Sequence, residues 1–323
     1  MPAVTAVRMR LDFRQGQRIM FFHRWSEHAS PWHALVWVIL TAMFGSIASA
    51  QAEPRRAAHG AGEVDTEHMF GFTEGSDIGA VGEKELETDS TGRFGRAAGS
   101  YSNIATAFEA KYTFTEYFRV SAAATVSFYD ITGVNGFDDR RQGALQSFSI
   151  DARFRLLDRE RAPIGLTIGI IPHWGLRDEV SGASADQYRT EFLLIADREL
   201  IPDRLFGAVN ISYEREETRL RATDEALRES ALGFSGALAA QVMPGVFLGA
   251  EVRNLRHYEG LGLDRFAGQS LYVGPTLYMT LGAQFWLTAA WNVQAWGTTA
   301  EGGALDLTNF ERHQVRFRLG VNF

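Results

Sequence analysis

Cysteine is absent from the 323 residues. That excludes a disulfide framework, a Cys-ligated zinc and a cysteine nucleophile together. Proline is scarce, at eight residues, and the basic residues are nearly all arginine. No Lys/Arg run is present, so nucleic acid is not an expected partner. Long apolar runs are missing with one exception near the N-terminus, and the mean hydropathy is only −0.14. This average excludes a bundle of apolar transmembrane helices. It leaves room for a transmembrane barrel, whose strands alternate apolar and polar residues and so average out. What is plentiful is glycine (32), aromatics (12%) and hydrophobic residues overall (46%). Composition and length fit one large all-β domain or two ordinary ones, and composition alone leaves barrel and soluble sandwich both open.

The exceptional run is 34–47 (ALVWVILTAMFGSI), followed by Ala48-Ser49-Ala50 and the polar Gln51-Ala52-Glu53-Pro54-Arg55-Arg56. It falls short of the about 20 residues a spanning helix needs. Its flanks are those of a secretory signal peptide, so residues 1–50 are read as one, cleaved after Ala50, in preference to a single membrane anchor. The region before the run is long for a signal, and translation is expected to begin at Met9 or Met20, leaving Arg24 as its basic charge. Cleavage takes the net charge from −7 to −10. Residues 51–81 are polar and Gly-rich around Met69-Phe70-Gly71-Phe72. They read as a periplasmic lead-in or a small lumen plug, ahead of a barrel over 82–323.

From there the period-2 signal of strands recurs to the last residue. At the end, Val315, Phe317, Leu319, Val321 and Phe323 share one face, and Gln314, Arg316, Arg318, Gly320 and Asn322 the other. That strand alone fits a dry-cored soluble barrel equally well. The stretches 103–114, 118–128, 142–157, 230–242 and 246–253 repeat the alternation. Twelve strands are predicted, at about 84–93, 102–114, 118–130, 143–156, 164–174, 188–199, 205–215, 231–242, 246–258, 269–279, 284–297 and 314–323. Most exceed the roughly 9–11 residues a tilted strand needs to cross the hydrocarbon layer. Short links (115–117, 158–163, 201–204, 243–245, 280–282) alternate with long ones (131–141, 176–187, 216–229, 259–268, 298–313). Outer-membrane barrels show this alternation, with the short turns periplasmic, and an even strand count puts both termini on that side. A sandwich has no reason for it. The expected fold is therefore an all-β, antiparallel up-and-down transmembrane barrel of about 12 strands with both termini periplasmic.

The terminal strand ending Phe317, Leu319, Val321, Phe323, the signal peptide and the alternating hairpins resemble bacterial outer-membrane β-barrel proteins of the porin-like class. Residues 71–77 (GFTEGSD) with 82–87 (GEKELE) are similar to the start of barrels assigned as outer-membrane transporters, including some tied to phenol degradation. The resemblance implies location in the cell outer membrane. It makes the four terminal apolar residues a membrane-insertion signal read by the barrel-assembly machinery, and lipid and lipopolysaccharide the outer contacts. It brings no cofactor, metal or catalytic residue with it.

If apolar faces meet lipid, the opposite faces line the lumen. The candidates are Glu85, Glu87, Glu109, Lys111, Arg119, Asp151, Arg153, Arg155, Arg189, Glu191, Asp197, Glu251, Arg253, Arg316 and Arg318. Closing the barrel is expected to set Arg316 and Arg318 near Glu85 and Glu87. Such mixed charge fits a salt-bridge network filling a narrow lumen, or a selectivity surface for a polar solute. Twelve strands fall between small filled barrels and wide porins. Pro275 is an irregularity inside a predicted strand. Trp291 should face lipid, with Trp286 and Trp296 pointing inward.

His59, His68, His173, His257 and His313 survive cleavage, without HExxH, GxSxG or a close acidic cluster. Interfacial girdle positions explain the last three better than a metal or hydrolase site. The leading expectation is a passive channel for small solutes, not an enzyme. A structural or surface-interaction barrel is the alternative, and an outer-membrane lipid hydrolase using Ser270 with His257, or His313 with a loop serine, ranks behind both. The sequence specifies neither the solute nor the oligomeric state.

Overall fold

The structure, a computed structural model, describes residues 65–323. The signal-peptide reading of 1–50 and the first part of the lead-in, 51–64, lie outside the described residues. Twelve antiparallel strands close into one barrel: β1 (Lys84–Phe94), β2 (Ser100–Thr115), β3 (Phe118–Thr132), β4 (Arg140–Leu157), β5 (Gly165–Arg177), β6 (Ser184–Ile201), β7 (Leu205–Leu220), β8 (Ala226–Met243), β9 (Val246–Glu259), β10 (Arg265–Leu281), β11 (Phe285–Thr299) and β12 (His313–Asn322). Each strand pairs with its sequence neighbours, and β12 closes onto β1 from Glu85↔Asn322 to Phe94↔His313. Closure leaves no unpaired edge, which is what an all-β chain in lipid requires. No helix occurs among the described residues.

The outer surface explains the alternation. Phe148, Ile170, Phe192, Val209, Leu238, Val252 and Phe317 project outward and are 40–59% exposed. Apolar side chains continue round the barrel as a belt, far beyond the few hundred Å² a soluble protein exposes. Hydrocarbon is the solvent that accepts it. Of the terminal apolar residues, Phe317 (44%) and Phe323 (52%) are open to the outside, while Val321 (8%) is covered by its neighbours.

Both chain ends of the barrel lie with the short turns, since Lys84 pairs with Tyr112 near the β2–β3 turn and bonds the carbonyl of Phe323. At the other end the strands run on past their apolar stretches. The expected loop at 216–229 is a hairpin with only 221–225 left as a turn, and those at 176–187 and 259–268 shrink to 178–183 and 260–264. Both faces become polar once a strand rises above the lipid belt, so the alternation disappears while the ladder continues. Only 300–312 remains long.

Two irregularities matter. Pro275 pairs with Ala250 of β9, but β10 and β11 have no paired residues at Gly274 and Pro275. The residue that cannot donate thus stands where the ladder lapses. On β11 the register passes from Leu271↔Trp296 to Tyr272↔Gln294, leaving Ala295 as a bulge. One extra residue reverses the facing of everything beyond it. Trp286 points inward as expected (3% exposed), whereas Trp296 faces out (43%), contrary to the uninterrupted alternation.

Candidate functional site: the barrel lumen

Residues 65–80 lie inside the barrel at the short-turn end, with Val81 and Gly82 exposed on the way to β1, and the strands meet the segment with matched polar groups. The Glu67 carboxylate takes Lys111 Nζ at 2.9 Å and the Arg119 guanidinium. His68 lies flat on Trp286, with ring centroids 3.7 Å apart, and its Nε2 is 3.2 Å from Glu85. The Phe72 and Thr73 amides donate to Glu251 at 3.0 and 2.8 Å, and the Glu74 amide to Asn210 Oδ1 at 2.7 Å. The Glu74 carboxylate reaches Arg153 at 2.6 Å. Ser76 Oγ donates to Asp197 at 2.6 Å, and Arg159 holds Asp77 at 2.9 Å. Thr113 and Thr288 hydroxyls donate to the carbonyls of Ile78 and His68. The wall thus answers the amides of Phe72, Thr73, Glu74 and Ser76 and the carbonyls of His68, Gly71, Glu74, Ser76 and Ile78, in a segment without secondary structure whose buried peptide groups need such partners.

The anchoring is also apolar. Met69 and Phe70, both fully buried, pack with Phe206, Ala208, Ala237, Ala239, Phe247, Tyr278 and Trp286. The inner wall of β7–β11 at this end is therefore greasy, a departure from the uniformly polar lumen the sequence suggested. The alanines leave the volume that Met69 and Phe70 fill. Gly71, at φ 84°, carries the chain past Ala290, Thr276 and Glu251, each within 3 Å of where a Cβ would stand.

Charge in the segment is tuned by its partners. Burial opposes ionisation of Glu67, but Arg119 and Lys111 outweigh it and hold the carboxyl well below its ordinary value. Burial likewise opposes the Glu74 charge, and Arg153 and Arg316 overcome it, bringing the group to about 2. Burial disfavours protonated His68, while Glu85 and Glu67 favour it more strongly and raise its value. Glu67, His68 and Glu85 converge closely enough to hold a metal ion. Lys111 Nζ, 2.9 Å from both carboxylates, supplies the positive charge there instead.

At the opposite end two loops turn in. The Glu179 carboxylate of the β5–β6 loop sits between Arg93, at 2.7 Å, and Arg189. Burial is again outweighed, first by Arg189 and then by Arg93, leaving Glu179 at about 2. Tyr101 Oη donates to Val180 O (2.9 Å), and Gln142 Nε2 to Gly182 O (2.9 Å). In the β11–β12 loop, Asp306 is fully buried and trades backbone bonds with the Gln294 amide, and Glu311 pairs with Arg96 at 2.6 Å. Between segment and loops remains a cavity of about 430 Å³ lined by charged side chains from both ends.

All fifteen lumen candidates point inward, and the strands bring nine of them together in three groups. Lys111 joins Glu85 and Glu87; Asp151 joins Arg119 and Arg153; Glu251 and Asp197 hold the inner segment, with Arg155 3.6 Å from Asp77. Glu109, Arg189, Glu191, Arg253, Arg316 and Arg318 face the cavity. The expected seam needs one correction. Arg318 pairs with Glu87 at 2.5 Å, but Arg316 pairs with Asp89 at 2.6 Å, and Glu85 turns to Lys111 and His68. The register sets Asp89 opposite Arg318 and Thr91 opposite Arg316, so each arginine reaches one inward position back toward the start of β1. The Ser270–His257 pairing does not form: His257 lies 3.5 Å from Glu229, and Ser270 Oγ has no partner. His313 stacks on Trp291.

Sequence reasoning missed Asp89 and Arg93, which share the parity of Glu85 and Glu87 and would have followed from extending the alternation, and Glu214, on a strand from which no candidate was drawn. It also missed Glu67, His68, Glu74 and Asp77, whose segment has no period to read, and Glu179, whose loop has none either.

The family model described as "Family of unknown function (DUF6662)" matches residues 62–323. The chain belongs to that family. The DUF6662 match takes in the inner segment together with all twelve strands. No curated protein matches the chain. Among solved structures, the COG4313 outer membrane channel from Pseudomonas putida F1 is similar at 10% identity with a TM-score of 0.55, covering 81% of this chain and 100% of that one. The NanC porin is similar at 9% identity and a TM-score of 0.45, over 74% and 98%. The first likeness is one of fold, and the fold of this DUF6662 member is an outer-membrane β-barrel. The second is too remote to add to it.

Proposed function

We propose that this chain is a passive, porin-like outer-membrane channel for small polar solutes, exported through a cleaved signal peptide, with residues 65–80 as a resident plug. The observation that carries the reading is the polar cavity of about 430 Å³ held open inside a closed barrel, between the segment and the in-turned loops. A barrel needed only as a scaffold has no use for an unfilled interior, since atoms that face a void lose their packing contacts. The short turns and both termini face the periplasm in this reading. Barrel-assembly machinery takes up the terminal strand, and lipid and lipopolysaccharide surround the belt.

Single-channel recording from pure, refolded mature protein in planar bilayers is the test. Small, discrete conductance steps are expected, rising when residues 65–81 are deleted. Silence from both forms, with folding verified, removes the channel reading. A second reading has its own observation: most lumen charges are already ion-paired and Met69–Phe70 fill one end, as in a structural barrel held in register by its interior. Silence from both forms would favour it.

A further inference from the structure

Eight basic side chains line the cavity, and seven of them have a carboxylate within 4.0 Å. The eighth, Arg253 on β9, has none among the described residues, although it is 92% buried (8% exposed). The neighbouring carboxylate on its face, Glu251, is committed to the Phe72 and Thr73 amides and to Asn292 Nδ2 (2.8 Å). Arg253 is held by neutral groups: its Nε donates to Asn292 Oδ1 at 3.1 Å, its Nη2 to Gln314 Oε1, and its Cζ stands 3.9 Å over the Phe72 ring. Among the described residues its Nη1 has no hydrogen-bond acceptor.

The side chain is thus fixed on three sides and left one donor short of an anion. Amide oxygens and an aromatic face orient a guanidinium without cancelling its charge, and a carboxylate is the ligand that completes it. A second feature of the same cavity limits the ligand. Glu191 and Glu214 stand opposite each other across β6 and β7, and both line the cavity. Among the described residues Glu191 has no ion pair, and the cation that reaches Glu214 is Arg189, its Nε at 3.5 Å. Two carboxyl groups facing one another at a single register position do not both ionise, and the negative charge they keep between them disfavours a second negative charge on the ligand.

We propose that Arg253 is the docking point for the carboxylate of a small monoanionic solute, and that Glu191 and Glu214 disfavour dianions. This deepens the channel reading and rests on it.

Isothermal titration of the refolded mature barrel in detergent, at low ionic strength and pH 7, tests it with sodium propionate, propionamide, disodium succinate and inorganic phosphate. Propionate is expected to bind, propionamide not, and succinate and phosphate at least fivefold more weakly than propionate. Arg253→Gln should weaken propionate at least tenfold. Gln314→Glu should do the same while keeping the arginine, by giving it a carboxylate inside the protein, so it decides the matter if Arg253→Gln fails to fold; heat-modifiable gel migration reports folding. Propionate binding unchanged in a folded variant overturns the proposal, as does succinate binding as tightly as propionate. Conductance without propionate binding removes the site and leaves the channel. Binding without conductance removes the channel and leaves the site.

Discussion

Glu67 and His68 show how much of the interior depends on side chains from a stretch with no periodicity. Glu67 gathers Lys111 and Arg119, His68 bridges to Glu85 and stacks on Trp286, and Gly320 leaves room for that indole, whose ring atoms stand 2.3 Å from where a Cβ would be. The charges give the segment a pH dependence whose sign follows from the shifts. Glu74 and Glu67 lie below their ordinary 4.5, so their stabilisation is complete above that pH and is lost as Glu74 protonates toward about 2. His68 lies above its ordinary 6.5, so its contribution is complete below that pH and is lost as pH rises through the elevated value. Amide protection factors of residues 65–81 should therefore be greatest between pH 4.5 and 6.5 and decline on both sides. His68→Gln should abolish the alkaline decline and spare the acid one. Protection independent of pH from about 3 to 9 contradicts this account.

The barrel seam makes a second residue-scale test. Arg318 has Glu87 as its carboxylate, and both are almost wholly buried. Removing one partner of a buried pair costs about 3–5 kcal/mol, much of it from the charge left behind. Arg318→Leu should fall at the low end, because Lys111 still lies 2.6 Å from Glu87. Adding Glu87→Leu should then recover little, since Lys111 already compensates the Glu87 charge that Arg318 leaves behind. Urea unfolding in lipid vesicles measures both. Recovery of most of the loss in the double variant would show the pair to be isolated from Lys111.

At the scale of the element, strands with one face in lipid announced themselves. The parity of Phe148, Ile150 and Phe154 against Asp151 and Arg153 needs no structure to read, because a strand in hydrocarbon tolerates no other arrangement. Where the lipid belt ends the reading ended too, which is why 216–220 and 226–229 passed for loop. The bulge at Ala295 was illegible for a different reason: alanine suits either face, and the displaced Trp296 shows only in the register. Least legible of all was the inner segment, whose conformation is dictated by its host. Gly75 marks where that dependence is tightest, since a Cβ there would stand 2.2 Å from the Thr66 carbonyl oxygen. Gly75→Ala should loosen residues 65–81 and raise conductance, while costing the barrel only about 1 kcal/mol of unfolding free energy, because the strand ladder is untouched. A midpoint that drops with no change in conductance would mean the segment is part of the barrel's core and not a separable plug.

For the whole molecule, the decisive asymmetry is between two faces of one sheet. The lumen is crowded with ionic groups and the outside is a belt of aromatic and aliphatic side chains, the reverse of a soluble barrel. If the belt faces hydrocarbon, the cost of an outward charge must depend on its depth and not on local packing. Val209 lies midway along the apolar outward row of β7 and is 59% exposed; Val242, 51% exposed, lies by the β8–β9 turn at the belt's edge. In water, two valines so exposed would tolerate arginine about equally. In a bilayer, Val209→Arg should cost about 2–4 kcal/mol and Val242→Arg about 0–1 kcal/mol, because the guanidinium of the second reaches the headgroups. Unfolding in phospholipid vesicles compares them directly. Equal costs would place the belt against protein, as in a subunit interface, and would return the arrangement of charges in the lumen to a purely structural role.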